Sequence, residues 1–191
     1  METSSKINVR FSVVVGLIAL AAFSRMIPHI FNFSPLGAIG LFGAAYFSKK
    51  WQAFLIPVAA IWLSDLFITN VIYGQSHTSF VWFYDGFYWQ YGSFALITLV
   101  GFFIFRKVSL QRILAGTLLS TTIFFLVTNF GCFPNNPIYT QDFNGLITCY
   151  AAGIPFINGT LFGDLFYSGL LFGSFAILQQ RFTILKLALA K

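Results

Sequence analysis

The sequence is poor in charge, and poorest in negative charge. Five of its 191 residues are acidic and eleven are Lys or Arg, so 8% are charged, against about 25% in soluble domains. Water would not solvate such a surface, which excludes a soluble enzyme, a nucleic-acid-binding module and a disordered chain. Two histidines, without a third ligand at metal spacing, do not make a zinc site. No Gly-rich loop ends in Gly-Lys-Ser/Thr, so no ATP site is expected. No cofactor is expected either. A Pro/Ser linker and a heptad run are also missing, and one domain over residues 1–191 is the simplest account. What is present is apolar: 58% hydrophobic residues, 20% of all residues being aromatic. The lipid bilayer is the solvent this composition fits.

A transmembrane helix needs about 20 mostly apolar residues. Six segments are predicted to supply an all-α bundle of six spans, at 11–27, 35–48, 51–73, 91–105, 109–130 and 155–180. The second and fourth are short and borrow turns from their outer flanks. The stretch Phe11 to Phe47 is broken by Arg25, Pro28, His29, Asn32 and Pro35, and reads as a helical hairpin.

Basic residues concentrate in cytoplasmic loops, which tests this count independently. With the N-terminus inside and six crossings, Lys6, Arg10, Lys49, Lys50, Arg106, Lys107, Arg112, Arg181, Lys186 and Lys191 all fall inside. Arg25, Asp85 and Asp142 fall outside. Five spans would scatter this asymmetry, so the topology is expected to be N-in and C-in. The net charge of +6 is then a matter of topology, not of nucleic-acid binding. Lys6 and Arg10 followed by an apolar run imitate a signal peptide, but losing the first helix would break the alternation, and retention is expected.

Two outward loops are long. Residues 74–90 carry Phe80, Trp82, Phe83, Tyr84, Phe87, Tyr88 and Trp89, which suit an interfacial aromatic belt or a lid over a ligand. Residues 131–154 carry Pro134, Asn135, Asn136 and Pro137, with a short amphipathic helix expected near 143–152. Cys132 and Cys149 fall on the same side, where a disulfide would be permitted. His29 and His77 are outward as well.

An acidic side chain deep in a bilayer costs about 2.5–3.5 kcal/mol on insertion scales, so Asp65 and Asp164 must be offset by something. Counting about 1.5 Å per residue, both lie in the outer half of their helices, at the depth of Arg25, with His29 and Asn32 nearby. Thr160, Asp164 and Ser168 repeat every four residues and share a face with Tyr167 beside them. Asn129 and Asn158 add amides near the outer helix ends. These residues are expected to line a polar pocket open to the outside; the alternative is that Arg25 pairs with one aspartate purely to fix helix packing. Small residues at Gly37, Gly40 and Ala44, at Gly159 and Gly163, and at Gly169 and Gly173 allow close approach, internally or to a partner subunit.

The strings RMIPHIFNFSPLGAIGLFGAAYF, LSDLF and NGLITCYAAGIPFINGTLFGDLFYSGLLFG resemble a DUF6580-like family of small bacterial six-helix membrane proteins of undetermined function, for which transport has been suggested. The likeness covers most of residues 25–173. That family is in turn similar in size and span number to the substrate-binding S components of energy-coupling-factor vitamin transporters. The resemblance implies a multi-pass protein of the bacterial cytoplasmic membrane that takes up a small vitamin-like solute with a separate ATPase module. It also implies Arg25, Asn32, Asp65, Asn158 and Asp164 as binding positions. Cobalamin is the single best substrate guess on this likeness, although the loop after the third helix offers His77 where some cobalamin-binding relatives place a cysteine.

Three functions compete. A substrate-binding subunit would use Arg25, His29, Asn32, Asp65, Asn129, Asn158, Asp164 and Tyr167 to hold its solute. A structural subunit of a larger membrane complex would instead depend on the small residues of the second helix. An intramembrane aspartyl enzyme would need Asp65 and Asp164 to share a proton, against which Arg25 stands ready to neutralise one of them.

Overall fold

The computed structural model describes residues 2–76, 79–134 and 136–186. His77, Asn135 and Lys191 lie outside the described residues. Among the described residues six α-helices follow one another: α1 Glu2–Phe23, α2 Leu36–Tyr46, α3 Lys50–Phe67, α4 Phe87–Ile104, α5 Leu110–Cys132 and α6 Phe143–Arg181. No strand occurs among the described residues. All but α2 supply a stretch long and apolar enough to cross a membrane.

Helix α2 is the hub. Every residue from Leu36 to Ala44 is buried, and the helix packs against α1, α3, α4, α5 and α6. A helix apolar on all sides belongs in the middle of a bundle, and its small residues are what admit five neighbours at once. A Cβ on Gly40 would lie 3.1 Å from Thr98 Oγ1 and 3.3 Å from the Phe94 ring, and one on Gly101 would lie 2.7 Å from Ala44 Cβ. These glycines therefore serve packing within the chain and are not free to dock a partner.

This shortens the expected span at 35–48, although α2 still carries the chain from one end of the bundle to the other. Eleven helical residues rise about 16 Å, half of the roughly 30 Å hydrocarbon core, so α2 is a buried half-length helix. The fourth helix does borrow turns from its outer flank, starting at Phe87. A second correction concerns the last helix: the separate amphipathic helix expected at 143–152 is the first part of α6, which runs unbroken for 39 residues. Pro155 lies inside it and removes one intrahelical hydrogen bond, a loss that helices in apolar surroundings tolerate when neighbours compensate.

Helix ends are tied by side chains where the sequence supplies them. Asp142 caps α6, accepting from Gly145 N at 2.8 Å and from Thr140 Oγ1 at 2.9 Å. Ser109 caps α5, and Arg112 Nη1 donates to the Ile104 carbonyl at 2.9 Å, closing the end of α4. Beyond α3 the helix widens into a π-turn over Ile68–Ile72, from which Asn70 grips the next loop through two hydrogen bonds to Val81, of 2.7 and 2.8 Å.

Candidate functional site

The site forms where α1 gives way to α2. The connecting segment carries exposed Ile27, Ile30 and Phe31 and then runs along α6 at Gly159 and Gly163. A Cβ on Gly163 would lie 2.6 Å from Ser34 N and 3.0 Å from Ser34 O, and one on Gly159 would collide with the Phe31 carbonyl. An i, i+4 glycine pair that reads as a helix–helix contact thus cradles non-helical chain. Asn32 adopts φ 60°, the one positive φ of a non-glycine among the described residues. Asn tolerates this conformation better than most side chains, and such strain persists where the surroundings fix it.

This segment and the helices around it enclose a cavity of about 220 Å³. Its lining includes Arg25, His29, Asn32, Ser34 and Asp164 together with Tyr73, Gln90, Phe124 and Thr160. A second hollow of about 480 Å³ shares Asn32, Gln90, Phe124 and Thr160 with the first and continues to Asn129, Cys132, Tyr139, Cys149 and Phe156. The two form one cleft with a charged end and an aromatic end. Ser34 Oγ and Gln90 Nε2 are buried without a hydrogen-bond partner, although such groups are nearly always paired.

The charged residues do not pool. Arg25 Nη1 lies 2.7 Å from Asp65 Oδ1 and donates to Ser64 Oγ at 2.7 Å, while Tyr91 donates to Asp65 Oδ2 at 2.8 Å. The pair joins the end of α1 to α3 and α4, and its side chains keep 13% and 8% exposure. Asp164, at 2% exposure, has other partners. Thr121 donates to its Oδ2 at 3.0 Å, and the backbone N–H groups of Ala38 and Gly37 face it. Those groups open the first turn of α2, whose own N-cap residue, Pro35, supplies no side-chain bond. Asp164 therefore stands against the N-terminal turn of α2 and serves as its side-chain cap.

Of the residues read from sequence, Arg25, His29, Asn32 and Asp164 line the first cavity and Asn129 the second. Asp65 stands behind Arg25 as its counterion. Tyr167 is buried, with its hydroxyl 2.7 Å from Ser24 Oγ, and Asn158 is exposed on α6 away from both hollows. Ser168 is taken up by a 3.0 Å bond from Thr117. Sequence reasoning missed Ser34, Gln90, Phe124, Tyr91 and Thr121. A signal existed for the last: Ser120, Thr121 and Thr122 form a polar island in an apolar helix.

None of the described aromatic residues of the 74–90 loop lines the cleft. Trp82 stacks on Trp62 at 6.3 Å, Trp62 Nε1 donates to the Trp82 carbonyl at 3.3 Å, and Phe80, Trp82, Phe83 and Tyr88 remain exposed. Among its described residues Gln90 is its contribution to the lining. Tyr84 turns inward with its hydroxyl buried and unpartnered; burial first, and then the nearby Asp65 charge, pushes its pKa up. Cys132 and Cys149 are both free thiols. Among the described residues no cluster of three His, Cys, Asp or Glu could hold a metal.

The chain belongs to the family of unknown function DUF6580, whose profile matches residues 5–186, in line with the resemblance read from its sequence. No curated protein and no solved structure matches it.

Proposed function

We propose that the chain is a multi-pass, membrane-embedded substrate-binding subunit for uptake of a small solute, acting with a separate ATPase module in the manner of an energy-coupling-factor S component. The observation that carries this reading is the cleft at Arg25 and Asp164, with Ser34 Oγ and Gln90 Nε2 buried, unpartnered and on its lining residues. Unsatisfied buried donors cost about 1–3 kcal/mol each, a cost that a bound solute removes. Arg10, Lys49, Lys50, Arg106, Lys107, Arg112, Arg181 and Lys186 fall at the other end of the helices, which supports an N-in, C-in orientation in a bacterial cytoplasmic membrane with the cleft outward.

The dimensions favour a compact solute. Drug-sized ligands occupy pockets of about 300–1,000 Å³; the aromatic hollow has about 480 Å³ and the charged hollow about 220 Å³. Cobalamin is a poor fit to that hollow, and a small polar molecule with a planar or apolar extension toward Phe124 and Phe156 fits better. An aspartyl enzyme gains no support, since Asp65 and Asp164 each have separate partners. The reading as an assembly subunit loses its basis on α2, whose small residues are buried within the chain.

The test is mass spectrometry of small molecules released from protein purified in mild detergent, with a folded Gln90→Leu, Ser34→Ala variant as the control. A near-stoichiometric compound in the wild type that is missing from the variant supports the binding subunit and names its solute. Equal release from both proteins removes the cleft from consideration.

A further inference from the structure

The other end of the bundle contains a second hollow, of about 670 Å³. It is bounded by α1, the α2–α3 and α4–α5 links, the end of α6 and the turn at Thr183–Leu185. Four cationic residues line it, Arg10, Arg106, Lys107 and Lys186, and none of its lining residues is acidic. Like charges gathered with no acidic side chain among the described lining residues repel one another, and the arrangement is relieved by an anion.

A topological signal alone would not require this shape. The positive-inside rule counts Lys and Arg near helix ends, and Lys49, Lys50, Arg112 and Arg181 meet it without lining the hollow. Arg10 is also held in place. Its Nη1 donates to the Leu185 carbonyl at 2.7 Å, and its guanidinium lies 5.5 Å from the Tyr46 ring centre and 5.3 Å from that of Phe175. Gln179 Nε2 donates to the same carbonyl at 3.3 Å, which fixes the turn from a second side. One of five guanidinium N–H groups is used by the carbonyl, so the planar fork that pairs so well with phosphate oxygens stays available. The walls between the cations are apolar, from Phe47, Phe105, Val108 and Ala176. An inorganic anion gains nothing from such walls, whereas an amphiphile with an anionic head uses both.

We propose that this hollow is a binding site for the phosphate of an anionic phospholipid. Basic pockets between membrane helices are known to hold such headgroups, at about 1 kcal/mol per Lys or Arg near the surface. The site is independent of the cleft at Arg25 and does not rest on the uptake reading.

The test uses the full chain in detergent and native mass spectrometry with added phosphatidylglycerol, phosphatidylcholine or inorganic phosphate. Arg106 and Lys107 are exposed, so an Arg106→Gln, Lys107→Gln variant keeps its fold. A Lys49→Gln, Lys50→Gln variant removes the same charge from the same end outside the hollow. Phosphatidylglycerol is expected to bind the wild type at least about tenfold more tightly than the first variant and within about twofold of the second. Equal losses in the two variants would overturn the site in favour of diffuse surface charge. Phosphatidylcholine binding as well as phosphatidylglycerol, or inorganic phosphate displacing phosphatidylglycerol at equal concentration, would overturn the assignment to an anionic lipid.

Discussion

A Cβ added to Gly37 would lie 2.5 Å and 2.6 Å from the two carboxylate oxygens of Asp164. The buried acid of α6 and the first turn of α2 therefore share a space that only glycine leaves open, with Ser120 against the same position. Gly37→Ala is expected to destabilise the protein by about 1–3 kcal/mol, the range for overpacking a closed site. Gly169→Ala meets nothing within 4 Å and should leave stability unchanged or raise it by up to about 1 kcal/mol, because Ala is the better helix former. Thermal unfolding of the two variants side by side in one detergent checks the contrast, and equal melting of both would refute the close approach.

The Arg25–Asp65 pair should behave as a structural tie. Removing one member of a buried pair leaves the other uncompensated, at about 3–5 kcal/mol, so Asp65→Asn is expected to cost stability in that range. Tyr91→Phe deletes one hydrogen bond to the same carboxylate and should cost about 1.5–3 kcal/mol. In a double-mutant cycle the two effects should not add, since once Asp65 is neutral the tyrosine loses its charged acceptor. Additive losses would mean that Tyr91 is held by something else.

The long apolar windows made α1, α3, α4, α5 and α6 legible, because length and hydropathy decide what can cross a bilayer. The same evidence does not reveal that α2 is only half as long as a spanning helix and is enclosed by all five of the others. A short helix near 143–152 and a span starting at 155 are expected separately because nothing local reveals that one helix continues through Pro155. In the site, depth counting brought Arg25, Asp65 and Asp164 to one level but did not assign partners. Which carboxylate receives Arg25 depends on the rotation of α3 and α6 about their axes, and the capping of α2 by a residue 127 positions later in the chain (164 − 37) leaves no local trace.

The glycine pair on α6 gives a separable prediction for the cleft. Gly163→Ala would press on the Ser34 backbone and displace the segment that carries Asn32 and Ser34, without adding charge or touching Arg25. If the strain is about 1–3 kcal/mol and falls on the bound state, affinity for the co-purifying solute drops roughly 5- to 150-fold. Gly173→Ala, on the same helix but in open space, should bind as the wild type does. Comparison of released solute per mole of folded protein decides it, and unchanged release from Gly163→Ala would separate the cradle from binding.

The start of α6 should carry a pH-dependent cap. Asp142 accepts first from the Gly145 backbone N–H and then from Thr140, and these bonds hold its carboxyl below the usual carboxylate range. A carboxyl whose folded pKa is depressed adds stability that is present above its unfolded value and is lost as pH falls through the folded one. Amide exchange at Gly145, corrected for the chemical rate, should therefore be slow at neutral pH and accelerate as acid protonates Asp142. Asp142→Asn keeps a good N-cap with no charge to titrate, so its protection should lose this pH dependence. Asp142→Ala removes the acceptor and should leave Gly145 exchanging fast throughout. Were the Asn variant to show the same acid-induced opening as the wild type, the opening would belong to another group and not to this cap.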